Sequence, residues 1–242
     1  MKNVKNIDAE QPVKETPGLS QGACRRVYFV RHGVTEWNKL YRYQGKTDIP
    51  LSAEGEEQAL RVGMRLSKLS PRPSKIFTSP LKRAGLTASI ISEKLGGTEI
   101  SVIPELTEID FGLWEGLTVD EIRALSPYAS VFADWCVSQV NVTAPHGEDC
   151  NAVFDRALSV SAKISADNSE NLVVVGHGAF FRTLFIAMLG VCRTNIFWKM
   201  RMDNCSITAL DADRCGRFSV AYLNDCLHNK LPLCEIPNIP VM

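Results

Sequence analysis

Residues 172–191 read LVVVGHGAFFRTLFIAMLGV, an apolar run nearly long enough to span a bilayer. His177, Arg182 and the glycines at 176 and 178 interrupt it, and Asn171 stands at its start. A buried parallel strand followed by a buried helix accounts for this pattern better than a membrane span does. On that reading no part of the chain is expected in a membrane.

The same alternation extends in both directions from this segment. Strand-like runs occur at 27–30 (VYFV), 76–79 (IFTS), 101–103 (SVI), 206–210 (SITAL) and 218–223 (FSVAYL). Helical patterns fall at 52–69, 81–95, in two or three stretches between 118 and 167, and at 179–190. Strand and helix in alternation predict an α/β fold: a three-layer α/β/α sandwich with a mostly parallel central sheet and a small helical cap from residues 106–150. Local signals agree. Ser52 is a candidate N-cap ahead of Glu54, Glu56 and Glu57, with Ala59, Val62, Leu66 and Leu69 as the buried stripe. In TSPLKRAG, Ser79 is the expected N-cap and Pro80 the first helical residue, which puts Arg83 one turn into a helix.

The chain has 242 residues, 45% of them apolar, enough for one principal domain. Residues 1–25 are polar and carry Pro12, Pro17 and Gly18, so they read as a flexible extension to a domain at 26–230. Residues 231–242, with three prolines, read as an irregular tail. The 27 basic and 27 acidic residues give a formal charge of +0, and no global field favours nucleic acid or an anionic membrane. Eight cysteines form no C-x-x-C pair, and the N-terminus lacks the apolar core of a signal peptide, so reduced thiols in a cytoplasm are expected. Five of the eight lie beyond residue 190. A zinc or redox cluster there would require closely spaced pairs, which leaves buried or partly exposed thiols and no expected metal or cofactor.

In parallel α/β sheets, ligands bind outside the carboxyl ends of the strands. Arg31 and His32 follow VYFV, Ser79 and Arg83 follow IFTS, and His177 follows LVVV. Two histidines and two arginines thus converge on one rim, where glycines let backbone come close and helix N-termini add N–H donors. Such a site suits a tetrahedral dianion such as phosphate. Taken singly, each histidine is compatible with a satisfied loop residue and Arg83 with a surface cation; their coincidence carries the reading. His146 and His228 lack the strand-His-Gly setting, and His228 reads as surface or tail packing.

The blocks RHGVTEWN, YQGKTDIPLSAEGEEQA, SPLKRAG, LTEIDFGLWEGLT, PHGEDCNAVFDRA and VVVGHG, in that order over residues 26–222, resemble the histidine phosphatase superfamily in its phosphoglycerate-mutase-like branch. The resemblance implies a histidine acid-type phosphatase working through a phosphohistidine. His32 would attack phosphorus, with its other ring nitrogen held by a backbone carbonyl. Arg31, Arg83 and a cationic His177 would bind the equatorial oxygens. Thr35 and Asn38 match neighbouring phosphoryl-binding positions, and Gln44, Gly45, Gly178 and His146 are further candidates for binding phosphate or substrate. Glu108, four residues before Gly112, matches the general acid. Glu105 and Glu115 compete on composition alone; Glu115 reads as structural, and Glu148 as an orienting or capping carboxylate. Trp114 and Phe111 read as packing beneath the loop.

Residues 40–46 and 140–150 are expected to face the part of the substrate that is not phosphate. Val34 and His146 depart from residue types common in the family, and both bear on the leaving group. The implied partner is a small phosphomonoester, with a homodimer as a compatible assembly. RYQGKTDIPLS is similar to stretches in α-ribazole phosphatase-type members linked to cobalamin biosynthesis. A phosphoglycerate mutase is the alternative within the family, although this chain lacks the longer insertion around the acid. A phospho-ligand-binding or regulatory module with a degraded site is the alternative from another class.

Overall fold

The computed structural model describes residues 25–191, 196–213 and 215–231. Most of the expected N-terminal extension and nearly all of the expected tail fall outside them, as do Cys24, Cys192 and Cys234. The sheet is built around Asn171–Gly176 (β4), every residue of which is buried. On one side of β4 lies Arg25–Arg31 (β1), parallel to it, with Arg31 opposite Gly176. On the other lies Lys75–Thr78 (β2), also parallel, followed by Glu99–Val102 (β3) at the edge. Ile207–Ala212 (β5) pairs antiparallel with β1, and Phe218–Asp225 (β6) antiparallel with β5. The strand order is β3-β2-β4-β1-β5-β6. The sheet is therefore mixed, with its four parallel strands together and an antiparallel pair at one side.

Period-two alternation divides the core between two faces. Val27, Phe29, Leu172 and Val174 point to one, under Cys150–Ala166 (α6) and Gly178–Leu189 (α7). Tyr28, Val30, Val173 and Val175 point to the other, under Ala53–Leu66 (α2) and Lys82–Lys94 (α3). The three layers are those expected, and residues 172–191 form a strand and a helix of the core. No helix among the described residues is long and apolar enough to cross a membrane.

Ser52 caps α2, its Oγ accepting from Gly55 N at 3.2 Å. Helix α3 differs from expectation. Its N-cap is Leu81 rather than Ser79, and no side chain caps it; the Ser79 hydroxyl lies 2.8 Å from His177 Nε2 and accepts from Leu81 N, ahead of the helix, at 3.3 Å. Arg83 is consequently the second helical residue, not a full turn in. The 106–150 region supplies the cap: a 3₁₀ turn at Gly112–Trp114, Val119–Arg123 (α4) and Ala129–Val137 (α5). Edge-to-face aromatic contacts fasten it, with Trp114 against Phe132 at 5.2 Å and Tyr43 against Phe111 at 5.1 Å.

The loop leaving β1 is seated by two glycines. A Cβ on Gly33 would lie 2.3 Å from Gly55 O, and one on Gly55 would lie 2.2 Å from Val34 O. The first turn of α2 thus touches the backbone of residues 33 and 34 directly. Helix propensity alone favours Gly55→Ala by about 1 kcal/mol. We expect the opposite sign: Gly55→Ala lowers the thermal midpoint, because a backbone carbonyl cannot swing aside as a flexible side chain can. A raised midpoint in thermal denaturation would show that the loop is not held by this contact.

Candidate active site

Since Arg31 is opposite Gly176, the next residues, His32 and His177, leave neighbouring strands side by side, with ring centroids 5.2 Å apart. His32 is 3% exposed and His177 fully buried. His32 is held at three points. Its N–H donates to Gly176 O at 2.9 Å, its carbonyl accepts from Asn204 Nδ2 at 2.9 Å, and its Nδ1 lies 2.7 Å from Gly33 O. A carbonyl only accepts, so Nδ1 carries the proton and Nε2 keeps its lone pair. His177 Nε2 lies 2.8 Å from Ser79 Oγ, and its Nδ1 has no partner among the described residues.

The flanking arginines are fixed by carbonyls. Arg83 donates to Thr47 O at 2.8 Å and Gly45 O at 2.7 Å, and Arg31 to Met202 O at 2.6 Å. The Nε atoms of both are buried without a partner. Together with His177 Nδ1, they are orphaned donor or acceptor nitrogens around one histidine, a set that the oxygens of a phosphoryl group would satisfy. Gly178 permits this approach, since a Cβ there would stand 3.3 Å from Arg31 Nε. Burial, then Arg83 and Arg31, hold the His32 imidazolium form well below its ordinary range; burial, Arg83, His32 and Arg31 do the same to His177. Both rings are therefore neutral here at neutral pH. The cationic His177 implied by the sequence resemblance requires an anion beside it. Burial brings Arg83 down to about 10, which leaves it charged.

Glu108 stands at the start of α7. Its Oε1 accepts from Phe180 N at 2.7 Å and Ile109 N at 3.0 Å, and its Oε2 from Ala179 N at 3.1 Å. Oε2, with one donor, retains the freer lone pair.

These groups open into a cavity of about 410 Å³. Arg31, His32, Arg83, Glu108 and Gly178 line it, as do Asn38, Gln44 and Gly45. His177 sits behind this lining against His32. Thr35 is fully buried and caps Glu36–Lys39 (α1) in a reciprocal pair with Asn38, so it orients Asn38 rather than facing the cavity. His146 is elsewhere. It is exposed, with φ 60°, in a turn whose backbone packs against Gly112.

The expectation that 140–150 faces the substrate is corrected with it. Residues 141–150 do not line the cavity, and Glu148 among them grips Arg156 at 2.8 and 2.9 Å. Residues 41–45 do line the cavity. Glu115 accepts from Lys46 N, Thr47 N and Phe111 N and so braces the loop beneath Gly45. Trp114 is fully buried, whereas Phe111 both packs in the cap and lines the cavity. His228 is not surface packing but fully buried, with Nε2 2.7 Å from Cys205 O.

Sequence reasoning passed over Asn204, which joins His32 O to Asn38 Oδ1, and the cavity residues Arg182, Trp135, Phe197 and Trp198. Arg182 did leave a signal, as the single charge in the apolar run of 179–189. Trp135 lies on the buried face of α5, where periodicity marks it only as core, and the others come from short irregular segments that no periodicity marks. Among the described residues, no group of three His, Cys, Asp or Glu side chains is placed to hold a metal ion.

Residues 27–225 match the histidine phosphatase superfamily (branch 1). Phosphoserine phosphatase 1 of Hydrogenobacter thermophilus is 33% identical over 188 residues, 76% of this chain and 85% of that one. Phosphoglycerate mutase-like protein 4 of Arabidopsis thaliana is 35% identical over 161 residues, 66% of this chain and 69% of that one. Among solved structures, the α-ribazole phosphatase of Shigella flexneri superposes with a TM-score of 0.73 at 26% identity, covering 83% of this chain and 96% of that one.

The buried neutral histidines set a pH dependence. His32 and His177 titrate well below 6.5 when folded, and burial brings His228 to about 4. Unfolding lets all three take up protons below about 6.5, so stability falls as pH drops through that value. The urea midpoint should decline between pH 7.5 and 5.5, above the range where carboxylates titrate. Inorganic phosphate should recover part of the loss, because it favours a charged His177. A midpoint that stays flat across this window would contradict neutral burial.

Proposed function

The chain belongs to the histidine phosphatase superfamily, and on that premise we propose that it hydrolyses a small phosphomonoester through a phosphohistidine at His32, without a metal ion. The observation that carries this reading is the 2.7 Å contact of His32 Nδ1 with Gly33 O, which leaves Nε2 as a nucleophile in the cationic cavity. In the first step Nε2 attacks phosphorus and the ester oxygen departs, taking a proton from Glu108. Arg31, Arg83 and His177 hold the three equatorial oxygens as charge builds on them. In the second step Glu108, now deprotonated, takes a proton from water, which attacks the phosphohistidine and releases phosphate. Glu108 suits both tasks because Oε2 has only one donor while Oε1 is anchored by two.

Magnitudes rank these contributions. Rate enhancements for phosphate monoester hydrolysis reach about 10²¹, or roughly 28 kcal/mol. General acid catalysis supplies about 10²–10⁴, some 3–5 kcal/mol. Most of the stabilisation therefore belongs to His32 and the cationic pocket. Hydrolysis is favoured over the mutase reaction by the cap, where Glu108 connects to α4 through one 3₁₀ turn and no inserted segment. The substrate is an alcohol phosphate of metabolite size; α-ribazole-5′-phosphate is one such compound, supported by the likeness to the Shigella flexneri enzyme.

Two experiments test the reading. His32→Ala should abolish turnover of p-nitrophenyl phosphate, which EDTA should leave intact. Quenching wild type with labelled substrate should trap an acid-labile, base-stable phosphoprotein; an acid-stable adduct would place the phosphoryl group on another residue. Glu108→Gln should cut kcat/KM by about 10²–10⁴ for alkyl phosphates and much less for p-nitrophenyl phosphate, whose leaving group needs no proton. Equal losses on both would remove Glu108 from the acid role.

A further inference from the structure

The backbone of His32 rests on a loop that is itself gripped from beyond β6. Residues 202–205, ahead of β5, reach three residues of the site. Met202 O accepts from Arg31 Nη1 at 2.6 Å, and Cys205 N donates to Arg31 O at 2.9 Å. Asn204 Nδ2 donates to His32 O at 2.9 Å and lies 3.2 Å from Asn38 Oδ1. Within this loop Cys205 stands at φ 50°. That is the left-handed region, which a residue with a Cβ seldom occupies without support from its surroundings.

The support comes from residues 224–229, at the end of β6 and in the 3₁₀ turn Leu227–Asn229. His228, fully buried, places Nε2 2.7 Å from Cys205 O. A carbonyl only accepts, so Nε2 carries the proton. Asn229 Nδ2 donates to Asn204 O at 3.3 Å, and Asn224 Oδ1 accepts from Asp203 N at 2.7 Å. In a trans peptide the C=O and N–H point opposite ways. The Asn204–Cys205 peptide thus meets Asn229 with its carbonyl and Arg31 O with its N–H, and it carries the position of the turn to the residue before the nucleophile. The turn has its own anchor: Asp225 accepts from Leu227 N at 3.0 Å and pairs with Arg65 of α2, which is 2% exposed. His228 does not line the cavity, so any effect it has on the reaction passes through this loop.

We propose that His228 is a positioning residue for phosphoryl transfer: its Nε2–H holds Cys205 in the left-handed conformation, and through Asn204 and Cys205 it sets the place of His32 against the phosphorus. This rests on the phosphatase reading above. Without the donor, Cys205 can leave φ 50°, and the N–H on Arg31 O and the amide on His32 O move with it. A misplacement of about 1 Å caused by a change far from the chemistry can cost about 10²-fold in rate. Anion binding draws also on Arg83 and His177, which are fixed by Gly45 O, Thr47 O and Ser79 instead. The loss therefore falls on the transfer step more than on binding.

The test uses two variants of the full chain. His228→Phe keeps a ring and removes the donor, whereas His228→Gln returns an N–H near the same point. Hydrolysis of p-nitrophenyl phosphate is measured per folded molecule, with circular dichroism giving the folded fraction, beside the Kd for inorganic phosphate. His228→Phe should lower kcat/KM by about 10- to 100-fold while weakening phosphate by at most about threefold, and His228→Gln should recover most of the loss. An unchanged kcat/KM in folded His228→Phe overturns the positioning role, as do equal losses in rate and phosphate affinity, or a His228→Gln no better than His228→Phe. If His228→Phe does not fold, Asn229→Ala decides, because it removes the bond to the same peptide: a fall in kcat/KM with phosphate affinity retained is expected, and no fall overturns the role. If wild type itself leaves p-nitrophenyl phosphate uncleaved, the phosphatase reading falls and the positioning role with it.

Discussion

The register of β1 against β4 is the constraint from which the site follows. Because Arg31 pairs with Gly176, two histidines emerge from adjacent parallel strands at the same height. Both strands are buried on both faces, so a slip of one residue would turn every core side chain to the wrong layer. The hydrophobic core thereby fixes the spacing of the two rings. Small residues complete the arrangement: Gly33 and Gly55 seat the loop after β1, and Gly178 admits the Arg31 guanidinium to the start of α7.

Electrostatics then couples this geometry to chemistry. Arg83, buried, and Arg31, half-buried, are cations bonded mainly to carbonyls, and they suppress protonation of both histidines. On the proposed reading, the field that keeps His32 neutral would also draw a phosphoryl dianion into the cavity. Once the dianion is bound, the same field no longer opposes a charged His177. Neutral histidine in the empty site and cationic histidine in the occupied one are thus two states of one balance.

Much of this was legible in the chain. Strand and helix periodicity identified the three layers, and the strand-His-Gly settings marked His32 and His177, because a buried strand must end where a polar group begins. The cap was legible as helical but not in its packing. Other features depended on contacts between distant segments. Ser79 reads locally as a helix cap, yet the helix begins two residues later, and its hydroxyl joins the buried His177 ring to the Leu81 amide. His146 precedes a glycine, as do His32 and His177, but no buried strand leads into it, and its turn is used to pack against Gly112. Asn204 and Trp198 reach the cavity from irregular segments where neither period two nor period 3.6 applies, and Trp135 from α5, whose buried face is shared between the core and the cavity.

The cap bears on which acceptor receives the phosphoryl group. Phe111, Trp114, Phe132 and Trp135 are continuous with the core that contains Phe29 and Phe185, and their rings meet edge to face. Opening such a cap would expose several large aromatic side chains, each worth about 1.5–3 kcal/mol of burial. It is therefore a fixed wall and not a hinged lid. A mutase must shield its phosphohistidine from water while a bound acid reorients, which requires closure over the site. A fixed wall beside a cavity of about 410 Å³ offers no such closure. On the phosphatase reading proposed above, water would reach the phosphohistidine as readily as a second alcohol does, and its far higher concentration favours hydrolysis.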